Sequence, residues 1–272
     1  MNGQDGDFAS STTDIPRVSI SVVSHGQGEL VDLLLRDLSL HSKTAIEVLV
    51  TVNVPEELPF DPTRFAFPVR LLSNAKPRGF GANHNAAFRK CKGKHFCVMN
   101  PDIRLEGDPF PALLACLEDP QAGVVAPLIR NPAGAIEDSA RHFPTPWGIL
   151  KKALRTSQEI EYPAGGAEPL YPDWVAGMFM LVQSRVFAEI GGFDERYFLY
   201  YEDVDLCLRL ARRGRRVVLC PVAIVVHEAQ RQSRRNLRYM RWHLSSMLRF
   251  FLSHRAAYLR GRSKTGARSR TS

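Results

Sequence analysis

Nowhere in the sequence do about 18 uncharged apolar residues follow one another, so no segment reads as a membrane-spanning helix. The first residues, Met1 to Thr13, lack both a basic start and an apolar stretch, which argues against a secretory signal. A cytoplasmic location is therefore the expectation. Cys-x-x-Cys pairs are also missing. The five cysteines (Cys91, Cys97, Cys116, Cys207 and Cys220) are odd in number, and several sit inside apolar runs. That pattern fits buried free thiols in a reducing compartment rather than a disulfide framework or a zinc site. No Gly-Lys-Ser/Thr follows the glycine-rich stretch near residue 80, which excludes a P-loop. Acid is nearly absent from the end of the chain. Of 36 Lys and Arg, 16 lie from Ala211 onward, where Glu228 is the single acid of 28, so the rest carries 20 basic against 27 acidic residues. The net charge of +8 thus belongs to the C-terminal quarter, which calls for an anionic partner or for a solvated tail.

What is present reads as alternating strands and helices. Val18 to Val23, Ile46 to Val52, Val69 to Leu72, His95 to Met99 and Val124 to Ile129 are short buried strands. Between them, Glu29 to Leu40, about Ala82 to Cys91, and Phe110 to Leu117 have helical spacing. Further on, Trp174 to Val182 is strand-like. Ser184 caps a short helix that stops at Gly191-Gly192, Glu202 to Arg213 is a helix, and Arg216 to Val226 is a strand with Pro221 marking a bulge or an edge. Thr145 to Pro172 is loop with one helix near Ile149 to Leu154. This order predicts an α/β fold with an open, mostly parallel central sheet flanked by helices. Ligands of such sheets bind beyond the carboxyl ends of the strands, where Ser24, Asn74 and Asp102 fall. The expected organisation is a disordered leader over 1–15, a folded domain over 16–235, an amphipathic basic helix over 236–260 and a disordered basic tail over 261–272.

Several segments carry chemistry. Asn100-Pro101-Asp102 ends a strand and offers a carboxylate to a divalent cation, although alone it is also what an Asx-type turn looks like. Gly79-Phe-Gly81-Ala-Asn83-His-Asn85 opens a helix whose glycines and N-terminus suit a phosphate as well as a simple cap. Residues 191 to 209 interleave aromatics and acids. Glu202, Asp203 and Asp205 start a helix whose dipole favours their ionised forms, and Arg209 is spaced to pair with Asp205. His227 ends a strand, either as a ligand or as a satisfied buried histidine.

Taken together, these segments resemble the family 2 inverting glycosyltransferases, in particular the branch rich in rhamnosyltransferases of bacterial surface polysaccharides. The likeness runs from residue 17 to about 235. It rests on the first strand, Asn74 with the Gly79-to-Asn85 block, Asn100-Pro101-Asp102, Trp174-Val-Ala-Gly177-Met-Phe-Met, the Gly191-to-Arg209 block, and His227 followed by Ser233. The resemblance implies a GT-A type fold and a nucleotide-diphosphate sugar donor, dTDP- or UDP-linked. It implies an acceptor that is a glycan or lipid-linked. Asp102 and His227 would hold Mg2+ or Mn2+, and Asp203 would be the catalytic base. Ser24, Asn53, Asn74, Gly79, Gly81, Asn85, Trp174, Gly177 and Glu202 would shape the donor and acceptor pocket. One departure stands out. The family has Asp-Asn at the end of its second strand, whereas this chain has Thr51-Val52-Asn53, with no acid for the nucleobase. The competing readings are an impaired donor-binding homologue acting as a partner subunit, and a sugar-1-phosphate nucleotidyltransferase. For the latter, Ser24-His-Gly-Gln-Gly28 lacks the basic residues. Nucleic acid is not an expected partner, since the basic tail carries no reading motif. The 236–260 helix alternates arginines with Leu237, Met240, Trp242, Leu244, Met247, Leu248, Phe250, Phe251 and Leu252. Such a pattern suits peripheral docking on an anionic membrane surface, and equally packing on the domain or on a second copy in a homodimer.

Overall fold

Successive residues of a strand face opposite sides of the sheet, so apolar residues two apart line one face, and helices close both faces over them. The computed structural model describes residues 15–149, 160–162, 166–229 and 237–259. The elements are β1 (Val18–Ser24), α1 (Gly28–His41), β2 (Ile46–Val52), β3 (Val69–Ser73), α2 (Phe80–Phe88), β4 (His95–Met99), β5 (Ile103–Arg104) and α3 (Phe110–Cys116). They continue with β6 (Ala122–Arg130), β7 (Ala140–Arg141), β8 (Trp174–Val175), β9 (Phe179–Gln183), α4 (Ser184–Ile190), α5 (Glu202–Arg212), β10 (Arg216–His227) and α6 (Leu237–Leu259). The main sheet has the order β3-β2-β1-β4-β9-β6-β10-β5, and β7 and β8 form a separate pair. Within the main sheet the strands run parallel except β9, which is antiparallel to β4 and β6, and β5, which is antiparallel to β10; β7 and β8 are antiparallel to each other.

Val18, Ile20 and Val22 of β1 and Cys97 and Met99 of β4 pack with Val31, Leu34, Leu35 and Leu38 of α1 and Phe110, Leu113 and Leu114 of α3. On the other face Phe96 and Val98 meet Phe187 and Ile190 of α4 and Leu206, Cys207 and Leu210 of α5, with Phe80 and Phe88 of α2 at the margin. This is the expected mixed architecture, and the five cysteines are free, three of them buried. No described helix is long and apolar enough to cross a membrane.

Three local expectations need correcting. The single strand expected over Trp174 to Val182 is two, broken at Ala176 to Met178, because the Gly177 amide leaves the ladder and donates to Asp203. Ser184 does not cap its helix: its hydroxyl donates to the Gly93 carbonyl at 2.7 Å, and Gln183 occupies the N-cap position. The second helix starts at Phe80 rather than Ala82. The shift of register between Cys220 and Ile224 is the bulge that Pro221 foretold. The expected leader, most of the helix expected near residues 149–154, and the tail fall outside the described residues.

Candidate active site

Ser24 closes β1, Asn53 follows β2, Asn74 follows β3 and Asp102 lies just beyond β4, so four expected residues line one edge of the sheet. Over the first three strands this edge is a closed polar network. Asn53 Oδ1 accepts from the Arg78 amide and from Asn74 Nδ2, both at 2.8 Å, and Asn74 Nδ2 also reaches Asn83 Oδ1 at 2.7 Å. Asn53 Nδ2 and Asn83 Nδ2 both donate to the Arg78 carbonyl at 3.1 Å. Ser24 Oγ accepts from the Gln27 amide at the start of α1. Beside Val52 the buried Thr51 Oγ1 has no hydrogen-bond partner among the described residues.

Gly79, Gly81 and Asn85 turn out to fasten this edge to the aromatic–acidic segment. A Cβ on Gly79 would stand 2.6 Å from the Phe198 carbonyl oxygen, and one on Gly81 would stand 2.6 Å from Phe193 Cβ. The Phe80 amide donates to that same Phe198 oxygen at 2.8 Å, so the N-terminus of α2 is partly capped by protein instead of lying open to a phosphate. Asn85 Oδ1 accepts from the Phe193 amide, and its Nδ2 donates to the Phe193 carbonyl and to Glu195.

Asp102 follows β4, His227 ends β10, and Glu202 and Asp203 open α5. Asp102 is buried; its Oδ2 faces His227 Nε2 at 3.2 Å, while Oδ1 has no hydrogen-bond partner among the described residues. His227 Nδ1 lies 2.7 Å from Glu137 Oε2. Burial alone would pull the imidazole down, but hydrogen bonds and charge from Asp102 and Glu137 prevail and raise its pKa to about 8. Glu202 is buried with Oε2 unmatched among the described residues, and burial, aided by the charge of Asp203, pushes its carboxyl well above the ordinary range. Burial also raises Asp203, against the pull of two backbone donors: Gly177 N to Oδ2 at 3.0 Å and Val204 N to Oδ1 at 2.8 Å. Gly177 fits between Phe80 and Asp203, because a Cβ there would touch the Phe80 ring at 3.2 Å. Trp174 donates from Nε1 to the His142 carbonyl, and the Arg141 guanidinium lies over its ring at 5.5 Å. The same guanidinium lowers Asp203 through its charge.

Three features escaped the sequence reading. Glu137 and Arg141 sit in a stretch with no regular period. Tyr200 and Tyr201, immediately before Glu202, both have left-handed backbones with φ of 70° and 69°. Such conformations cost non-glycine residues about 1–3 kcal/mol each and gather at functional sites. What holds them is α6. Phe250 packs in a cluster with Tyr197, Tyr201 and Val204, Ser246 Oγ donates to the Leu199 carbonyl, and His254 Nε2 lies 2.7 Å from Asp205 Oδ1. Asp205 also accepts from Arg209 at 2.7 Å, the pair expected from spacing.

Residues 16–245 match the model of the family described as glycosyltransferase like family 2. Over 88% of its length the chain is 29% identical to the rhamnosyltransferase WbbL of Escherichia coli, covering 94% of that protein. It is 30% identical to the N-acetylglucosaminyl-diphospho-decaprenol L-rhamnosyltransferase of Mycobacterium tuberculosis, over 79% of this chain and 76% of the other. Among solved structures, GalNAc-T7 with UDP, GalNAc and Mn2+ superposes at a TM-score of 0.66 and 14% identity; the match spans 88% of this chain but only about half of the other, 48%. The mannosyltransferase of Pyrobaculum calidifontis with GDP-Man and Mn2+ superposes at 0.61 and 19% identity, covering 97% of this chain and 69% of the other. These likenesses show a GT-A type fold.

Proposed function

Since the chain belongs to the glycosyltransferase-like family 2 and is a glycosyltransferase, we propose that it moves a deoxyhexose such as rhamnose from a nucleotide diphosphate, dTDP- or UDP-linked, to a glycan or lipid-linked acceptor in bacterial polysaccharide synthesis, with inversion. The observation that carries this reading is Asp203. Its two oxygens are fixed by backbone amides at the carboxyl edge of the sheet, and burial raises its pKa, which favours a proton acceptor over a spectator ion. In the proposed step Asp203 takes the proton of an acceptor hydroxyl as that oxygen bonds to the anomeric carbon. The bond from that carbon to the donor phosphate breaks on the opposite face, and its electron pair leaves with the nucleoside diphosphate. One displacement inverts the centre and needs no covalent enzyme intermediate. Glu202, Trp174 and Gly177 wall the sugar pocket, and Arg141 supplies a nearby positive charge.

A divalent cation fits Asp102, since the buried, unmatched Oδ1 is a hard oxygen donor of the kind that Mg2+ and Mn2+ take. Glu137 holds His227 Nδ1, so Nε2 is the nitrogen on the Asp102 side that would donate to a phosphate oxygen or, once its proton is lost, turn to a cation. When bound, the cation would neutralise charge on the departing diphosphate.

The test is a thermal-shift panel of dTDP-, UDP- and GDP-sugars with Mg2+ or Mn2+, each repeated with EDTA. A ligand held by the native state well above its Kd raises the melting temperature. A metal-dependent shift with one nucleotide supports the reading and names the donor. No shift with any of them, at concentrations where the relatives respond, favours a donor pocket lost at Val52 and a partner-subunit role.

A further inference from the structure

The C-terminal helix α6 has two faces with opposite fates. Ser246, Phe250 and His254 lie buried on the side turned to the domain. On the far side Met240, Leu244, Leu248 and Leu252 recur every four residues and are 54%, 52%, 60% and 60% exposed. Four large apolar side chains in one exposed row exceed the scattered single leucines normal on a protein surface. Arg241 and Arg255 are exposed on the same turns, Arg249 is exposed beside them, and the helix contains no Asp or Glu. At its N-terminal end Trp242 lies against Phe198 with ring centroids 4.6 Å apart and the planes tilted by 31°, and Tyr239 meets Trp242 edge-on at 5.3 Å. Amphipathic rings of this kind favour a water–lipid boundary.

We infer that the outward face of α6 is a docking surface for an anionic lipid bilayer, in which the helix lies along the headgroup plane. Charge complementarity selects this occupant. Two copies joined by this face would bring Arg241 and Arg255 of each against those of the other, with no acid on either helix to offset them. Phosphate headgroups match the arginines, and the acyl boundary takes the row of Met240, Leu244, Leu248 and Leu252. The sequence beyond the described residues adds Arg260, Arg262, Lys264, Arg268 and Arg270, again without an acid. The inward face of the same helix holds the segment that leads into Glu202 and Asp203, so docking would place the carboxylates beside the bilayer. The inference requires neither a particular donor nor a particular acceptor.

Flotation of the full-length protein with vesicles tests it without any turnover assay. With phosphatidylglycerol in phosphatidylcholine the protein should float. With phosphatidylcholine alone, or in high salt, the bound fraction should fall about tenfold. Leu244→Ser combined with Leu248→Ser should lower binding to the anionic vesicles about tenfold while leaving the melting temperature unchanged, because both leucines are exposed. Equal flotation of the native protein and the double variant overturns the inference. So does a dimer in sedimentation equilibrium that the double variant dissolves, an outcome that assigns the face to a second copy.

Discussion

The two halves of the sheet's carboxyl edge are built to opposite rules. Over β1, β2 and β3, Asn53, Asn74 and Asn83 spend their amides on one another and on the Arg78 backbone. Toward β4 and α5, Asp102 and Glu202 each bury a carboxylate oxygen with no partner among the described residues, and two tyrosines are held in left-handed backbone just ahead of Asp203. Buried polar atoms are normally matched, so the first half, the Thr51 hydroxyl apart, reads as scaffold and the second as the place where a ligand completes the bonding. Substituting the two halves should therefore produce different kinds of damage.

The largest effect should come from the open half. Asp203→Asn should fold normally yet lower turnover by about a hundredfold or more, the range of a lost general base, measured with saturating donor and acceptor. Because burial raises the native carboxyl, the acid limb of the pH profile should lie above the ordinary aspartate value of 3.8, with rate falling as the pH drops through it. A folded Asp203→Asn protein with near-normal turnover would remove it from that role. Next comes His227→Ala, which should weaken metal-dependent donor binding about tenfold to a hundredfold, read from the cation concentration needed for half the thermal shift. An unchanged cation requirement would confine His227 to packing.

On the closed half, Asn53→Ala should act on stability, costing about 1–3 kcal/mol in denaturant unfolding because it strands the Arg78 and Asn74 groups. A neutral result would mean that the network is not scaffold. Smallest, and opposite in sign, is Glu202→Gln. The raised pKa means that the folded state binds this proton more tightly than the unfolded chain, so the stabilisation is complete below the ordinary carboxylate value and is lost as pH rises through the folded one. Glutamine has no charge to bury. Glu202→Gln should be more stable at pH 7 by about 1 kcal/mol while losing activity, and the gain should close on acidification. Reduced stability at pH 7 would place an unseen counter-charge at Glu202.

Strand periodicity made most of the sheet legible, since buried strands announce themselves by composition, and residues that follow strands fall on the ligand edge for topological reasons alone. The break at Gly177 was not legible, because it depends on a hydrogen bond to Asp203 from another element. Glycines 79 and 81 were recognisable as positions of close approach, but the approaching group is Phe198 or Phe193, which only the fold brings near. The pairing of Asp205 with Arg209 followed from helix geometry. That of Asp205 with His254 joins elements 49 residues apart and leaves no local trace. Glu137 and Arg141 likewise reach the site from a stretch whose residues obey no period.

The antiparallel strand β9 sits between β4 and β6, and it gives the protein a timetable. During synthesis β1 to β4 can pair as soon as residue 99 has emerged, whereas the outer edge of β4 must wait for residues 179–183. Until then an apolar strand with unpaired amides is open to any passing chain. The growing polypeptide thus carries an open strand edge while residues 100 to 178 are being made, an interval in which a chaperone that shields that one edge has something to protect.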